Sequence, residues 1–303
     1  MVKILLTGTT GQVGWELQRS LLTLGQVITC DRQTLDLANP DRIRNAIKEI
    51  QPDLIINPAA YTAVDKAESE PELAMQINGI APGIMAAEAK KLGATMIHYS
   101  TDYVFDGSKD GAYVETDPTN PLGVYGKTKL AGEAAIAQSG AAHLILRTCW
   151  VYGRIGKNFM ITMLRLFRQK EELRVVADQL GTPTWSRLIA QTTAHIITQA
   201  ISSSASGSPT PSLTNWFTDR GGVYHLTAAG STSWHGFAKA IMVGDRQAEQ
   251  QIIKAIQPIS TSEYPTPAKR PANSQLDPTK LCDTFNINLP TWEECLAMVL
   301  AEV

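Results

Sequence analysis

The stretch Lys3-Ile4-Leu5-Leu6-Thr7-Gly8-Thr9-Thr10-Gly11-Gln12-Val13-Gly14-Trp15-Glu16-Leu17 places three glycines three residues apart, between an apolar run and an amphipathic one. The first run is short and rich in branched side chains, which reads as a buried strand, and the segment after Gly14 reads as a helix. Glycines at such a junction permit a tight turn, bring bare backbone close to a pyrophosphate and let the helix pack closely on the strand. The first turn of the helix then offers its N–H groups to an anion. Gly8, Gly11 and Gly14, with Gln12 and Val13 between them, are therefore candidates for holding a dinucleotide cofactor.

Outward from this turn the alternation continues. "QVITCD", "DLIINPAA", "TMIHYSTDYVF" and "HLILRTCWVYG" read as strands, and each is separated from the next by a helix-like segment. Nearly continuous apolar strands alternating with amphipathic helices predict a parallel sheet covered on both faces, a Rossmann-like doubly wound α/β fold. After Tyr152 the regularity loosens into a smaller C-terminal lobe packed over the ligand-binding edge of the sheet. The expected division is a nucleotide-binding domain over 1–150, with return segments at about 174–200 and 221–229. The substrate lobe then takes about 151–173 and 230–303, and a Ser-, Pro- and Gly-rich flexible loop covers 202–215.

The second strand ends in Asp31-Arg32. An acid here accepts hydrogen bonds from an adenosine ribose and favours NAD, whereas Arg32 or Arg19 beside it leaves NADP open. Asp36 and Leu37 then fall near the adenine, and Ala59, Ala60 and Tyr61 along the cofactor, although small residues packing at strand ends explain these five equally well.

Tyr125 is the one tyrosine among eight with a lysine four residues on, Lys129. That spacing puts both on one helix face, at the edge where Ser100 and Thr101 end the fourth strand. A phenol is a weak acid, and a nearby ammonium favours its ionised form, so Tyr125 reads as a proton donor with Lys129 tuning it. Ser100 or Thr101 would orient a carbonyl undergoing reduction. Lys127 faces elsewhere on the helix and reads as an ordinary solvated charge.

Bulk properties bound the rest. The 303 residues are 44% hydrophobic and 18% charged, with a formal charge of −2, which gives no electrostatic reason to expect nucleic acid or a membrane surface as a partner. No segment approaches the ~18 apolar residues of a membrane helix, and the opening run is too short for a signal peptide. Cys30, Cys149, Cys282 and Cys295 are widely spaced, which reads as reduced thiols in a cytoplasm. His98, His143, His195, His225 and His235 show no ligand spacing and read as packed or surface side chains.

"TGTTGQVGWELQ", "AAYTAVDKAESEPELA", "IHYSTDYVFDG", "PLGVYGKTKLAGE", "RTCWVYG" and "YPTPAKRPANSQLD" together resemble, nearly end to end, the dTDP-4-dehydrorhamnose reductase family of the extended short-chain dehydrogenase/reductases. The resemblance implies reduction of the 4-keto group of a dTDP-6-deoxy-hexosulose by NADH or NADPH. It gives Tyr125 the proton for the C4 oxygen, Thr101 the orienting role, and Lys129 the nicotinamide ribose. Tyr99 would lie along the cofactor, and Asp102 and Trp150 would contact the sugar nucleotide. From the residues themselves, Trp234, Lys269 and Arg270 could meet a nucleotide diphosphate, with Arg270 the leading candidate and a surface charge an equal reading. In some members Mg2+ links two subunits, and Glu16 resembles one such position. Arg187 stands where a second acid would be expected, so a metal-free homodimer and a monomer both stay open. Two other readings are a nucleotide-sugar epimerase or dehydratase, and a non-enzymatic regulatory subunit like that of methionine adenosyltransferase. Against the first, "STDYVF" carries only Asp102 where dehydratases add an acid pair; against the second, Thr101, Tyr125 and Lys129 are all present.

Overall fold

A computed structural model describes residues 1–205 and 213–303. The first half runs β1 (Val2–Leu6), α1 (Gln12–Ser20), β2 (Gly25–Thr29), α2 (Pro40–Ile50), β3 (Leu54–Asn57), α3 (Val64–Ala67) and α4 (Pro71–Met75). A π-turn at Gln76–Ile80 leads into α5 (Ala81–Leu92), β4 (Thr95–Thr101), α6 (Val124–Ser139) and β5 (Ala142–Thr148). The second half has β6 (Val151–Tyr152), α7 (Phe159–Phe167), β7 (Glu172–Val176), β8 (Leu180–Gly181), β9 (Thr184–Trp185), α8 (Ser186–Ala205) and α9 (Leu213–Asp219). It closes with β10 (Gly222–His225), β11 (Thr232–Ser233), α10 (Trp234–Gly244), β12 (Ala255–Ile259), α11 (Thr279–Phe285) and α12 (Trp292–Leu300).

The main sheet has the order β10-β5-β4-β3-β1-β2, with every neighbouring pair parallel. β1 pairs with β2 on one side and β3 on the other, so the winding reverses there and opens a crevice at the C-terminal strand ends. Every residue of β3 and β4 is buried, the burial that near-continuous apolar strands require when helices cover both faces. One face packs Leu17, Ile189, Ile196 and Trp216 from α1, α8 and α9. The other packs Ile43, Ile47, Met85, Ala86 and Ile136 from α2, α5 and α6. Helix starts are fixed locally: Asn39 accepts from the Asp41 and Arg42 amides ahead of α2, and Thr291 and Glu294 form a capping box on α12.

The second lobe has its own core, where Met160, Phe167, Phe237, Ile241, Trp292 and Leu296 from α7, α10 and α12 pack together. Three stretches differ from expectation. β7 pairs with β12 in a small parallel sheet, so residues 174–176 belong to the lobe and not to the nucleotide-binding domain. Leu281 and Phe285 of α11 return to the main core, where they pack beside β10. Of the expected loop over 202–215, residues 202–205 continue α8 and 213–215 begin α9, while 206–212 lie outside the described residues.

The turn from β1 to α1 is tightly packed. A Cβ on Gly14 would sit 2.1 Å from the Gly8 carbonyl oxygen, and Gly8 itself has φ 60 with Ala59 backbone 2.9 Å from any added Cβ. Gly14→Ala is therefore expected to lower the free energy of unfolding by about 2 kcal/mol. Urea titration measures this, and an unchanged midpoint would show that the close approach is not required.

Candidate functional site

A cleft of roughly 760 Å³ opens at the C-terminal edge of the sheet. It is lined by the glycine turn with Gln12 and Val13, by Asp31, Asp36 and Leu37, and by Ala59, Ala60 and Tyr61. Tyr99, Tyr125 and Lys129 close its inner end. Every residue singled out for the cofactor thus borders one cavity, because each lies near or beyond the C-terminal end of a parallel strand or in the first turns of the following helix. The site fits a dinucleotide on its own geometry. α1 starts at Gly11 with no side chain capping its first turn among the described residues, and the bare Gly8–Gly14 backbone leaves a cradle that a Cβ would fill. Arg32, Lys66 and Lys157, which sequence reasoning left unassigned apart from Arg32, bring positive charge to the wall.

Asp31 is less available than its position suggests. Its Oδ1 accepts from the Gln33 amide at 2.9 Å and from the Thr34 amide and hydroxyl at 3.0 Å, and the Thr34 bonds hold the carboxyl below its ordinary pKa. Tyr61 donates to Glu70 Oε2 at 2.7 Å, and this bond raises the phenol.

Tyr125 stands in the first turn of α6, half-buried on the cleft wall, and Tyr103 packs edge-on against it at 5.5 Å. Burial pushes its phenol up to about 12, against a hydrogen bond with Thr101 that pulls the other way. Thr101 Oγ1 donates to Asp102 Oδ1 at 2.9 Å and accepts from the Tyr103 amide at 3.2 Å. Asp102 is buried, and that burial raises its carboxyl to about 6. Ser100, the other hydroxyl considered for the orienting role, is committed to Glu133 Oε1 at 2.5 Å, within a buried Glu133–Arg147 ion pair.

Lys129 makes its hydrogen bonds toward β4. Its side chain is only 1% exposed, and Nζ donates to the Tyr99 carbonyl at 2.6 Å and lies 3.1 Å from His98 Nε2. Burial lowers its amine to about 8, with Glu133 opposing. Lys127 is exposed, so the two lysines of the motif separate as the helix period requires.

The family model described as RmlD substrate binding domain matches residues 2–303. The chain belongs to that family. It is 48% identical over 305 residues to dTDP-4-dehydrorhamnose reductase of Burkholderia thailandensis, covering 100% of this chain and 99% of the relative. It is 45% identical to the protein of the same name from Escherichia coli K12, covering 100% and 98%. The crystal structure of dTDP-4-dehydrorhamnose reductase from Bacillus anthracis in complex with NADP superposes with a TM-score of 0.88 at 33% identity, covering 100% of both chains.

On the substrate side the expected residues Thr101, Asp102, Trp150, Trp234 and Arg270 are not among those lining the cofactor cleft. Trp150 and Trp234 stack at 3.6 Å, and Trp150 takes φ 44, a strained left-handed conformation for an aromatic residue. Gly181 makes room for that indole, since a Cβ there would sit 2.5 Å from it. Arg270 is neither an open anion site nor a loose surface charge: it holds Asp65 through Nη1–Oδ1 at 3.0 Å and Nη2–Oδ2 at 2.8 Å, which ties the C-terminal loop to α3. Glu16 is buried against Arg187, Nε to Oε2 at 3.1 Å, and Arg187 also pairs with Glu302. The expected Mg2+ position is thus taken up by an internal ion pair, and among the described residues no group of three or more His, Cys, Asp or Glu could hold a metal.

Sequence reasoning passed over Thr7, Asn57 and His98. They form a buried polar row leading to Lys129, and their one signal was a polar residue inside or just after an apolar strand.

Because folding raises the Asp102 pKa above its ordinary 3.8 to about 6, the stability it allows is fully present at low pH and is lost as pH rises through 6. Asp102→Asn removes that cost. It is expected to stabilise the fold at pH 8 relative to pH 5 by on the order of 2 kcal/mol. Thermal melts of both proteins at the two pH values check it; equal shifts at both would contradict a buried, titrating carboxyl.

Proposed function

We propose that this chain reduces the 4-keto group of dTDP-4-dehydrorhamnose to dTDP-L-rhamnose, a precursor for rhamnose-containing polysaccharides, with Tyr125 as the proton donor. The observation that carries the mechanism is that Tyr125 and Lys129 line the same cleft as the glycine turn, in a chain alike over its full length to two reductases of that name. Bound NAD(P)H supplies the hydride to C4 of the sugar.

Tyr125 with a pKa near 12 is protonated at neutral pH, so it enters the reaction loaded with the proton that the C4 alkoxide needs. Thr101 takes the orienting role, and its own proton is turned toward Asp102. After transfer a phenolate is left on Tyr125, one helical turn from the Lys129 ammonium on the same face, whose field stabilises it. Lys129 thus acts on the product of proton transfer more than on the resting phenol. Asp102, Trp150 and Trp234 are assigned to the sugar nucleotide. Arg270 could take the diphosphate only by exchanging Asp65 for it.

NADPH is the better-fitting form of the cofactor. Asp31 Oδ1 is consumed by its own turn, and Arg32 next to it lines the cleft where a 2′-phosphate would need a cation. No described helix is long and apolar enough to cross a membrane, and the cysteines are free, which supports assignment to the cytoplasm, where nucleotide sugars are made.

Supplied with dTDP-glucose carried to the 4-keto L-sugar by the preceding enzymes, the protein should oxidise NAD(P)H stoichiometrically. Tyr125→Phe is expected to lower kcat by about 10²–10⁴. Undiminished turnover in that variant would remove Tyr125 from the mechanism, and cofactor retained through the cycle would indicate an epimerase. Arg32→Ala should raise the KM for NADPH by roughly tenfold and leave that for NADH unmoved, since one charge-assisted contact is worth about 1.5 kcal/mol. Equal changes for both cofactors would return the preference to Asp31.

A further inference from the structure

Thr7, Asn57 and His98 come from three neighbouring strands, at or just beyond β1, at the end of β3 and within β4, and each is at most 2% exposed. Asn57 and His98 are register partners in the sheet, so their side chains leave it on the same face. Thr7 Oγ1 donates to Asn57 Oδ1 at 2.6 Å, Asn57 Nδ2 lies 3.1 Å from His98 Nδ1, and His98 Nε2 lies 3.1 Å from Lys129 Nζ. Both ends of this row, Thr7 and Lys129, border the cofactor cleft, while its middle is sealed from it.

We infer that His98 is a positioning residue for Lys129, and that the Thr7–Asn57–His98 row reverses its hydrogen-bond direction with the charge on that lysine.

Donor counting leads there. With the Asn57 amide donating to Nδ1, the neutral imidazole carries its hydrogen on Nε2 and donates to Lys129, which must then be the free amine. An ammonium has donors only, so a charged Lys129 needs Nε2 as acceptor and the hydrogen on Nδ1. Nδ1 would then face the amide oxygen of Asn57 after the amide turns over, with Thr7 accepting from the NH2 group. A threonine hydroxyl and a side-chain amide can each serve in either direction, so both states keep every member of the row paired without moving the backbone.

His98 itself stays neutral throughout. Burial, and then the Lys129 charge, hold it well below the ordinary histidine range. Lys129 titrates near 8, inside the range where such a reversal matters. The other groups facing it are Glu133 from its own helix and the Tyr99 carbonyl from β4, with Arg147 of β5 engaged to Glu133 and Tyr125 one helical turn away. Glu133 favours the ammonium, and the row serves either form.

The inference rests on the reading of Lys129 as part of the reaction site, and its test separates the two. Nitrogen-15 NMR of the imidazole side chains of the intact protein, with His98→Gln for assignment, is followed across the Lys129 transition. A His98 that stays neutral while its hydrogen moves from Nδ1 to Nε2 as pH rises supports the inference; a fixed tautomer, or a His98 that itself gains charge, overturns it. In parallel, His98→Leu removes the partner of the ammonium and should shift the alkaline limb of kcat to lower pH by about one unit, with KM for the sugar nucleotide unmoved. His98→Gln, which keeps an amide able to accept or donate, should restore the limb. A pH profile unchanged in His98→Leu overturns the positioning role, and if that variant does not fold the NMR result decides alone. Tautomer exchange in a wild-type protein without reductase activity would overturn the proposed function and leave this inference standing.

Discussion

Six strands that run the same way must end at the same edge, and the rest of the molecule follows from that constraint. The glycine turn, Asp31, the Pro58–Tyr61 segment, Tyr99 and the start of α6 are far apart in sequence, but all line the cleft at the C-terminal ends of the strands. The reversal of winding at β1 separates the helices above that edge and leaves the crevice in which these residues meet. The same rule places the second lobe, since the chain leaving β5 at this edge passes through Trp150 directly into β6 and α7.

The face of the sheet under α6 is unusual for a buried layer in holding many polar groups. His98, Asn57, Thr7, Lys129, Ser100, Glu133 and Arg147 are all buried there. Each would cost several kcal/mol unpaired, so their mutual hydrogen bonds hold one arrangement against alternatives. Tyr125 is carried by α6, the helix that covers this layer. Trp150, Trp234 and Arg270 are held differently, by an aromatic stack at a strained Trp150 and by the Arg270–Asp65 clamp.

Most of the fold was legible because its signals are local. A glycine triplet at a strand end, apolar runs of strand length and the helix period state their own conformations without reference to distant residues. The Tyr125–Lys129 spacing was legible for the same reason, as was the exposure of Lys127. β7 was misassigned to the nucleotide-binding domain because its partner β12 lies about 80 residues on, and nothing in a strand's own sequence names the strand it pairs with.

By itself the sequence determined the doubly wound parallel sheet and the edge at which the glycine turn and Tyr125 meet, since each depends on periodicity or on residues within a turn of one another. Only the tertiary structure decided what those side chains touch. It turned Lys129 toward His98 and the Tyr99 carbonyl, closed Glu16 on Arg187 and Arg270 on Asp65, and took Ser100 for Glu133. The physical reason is common to all four: a buried or half-buried charge takes whichever opposite charge or hydrogen-bond acceptor the packing brings within about 3 Å, and packing is a property of the folded chain and not of any segment of it.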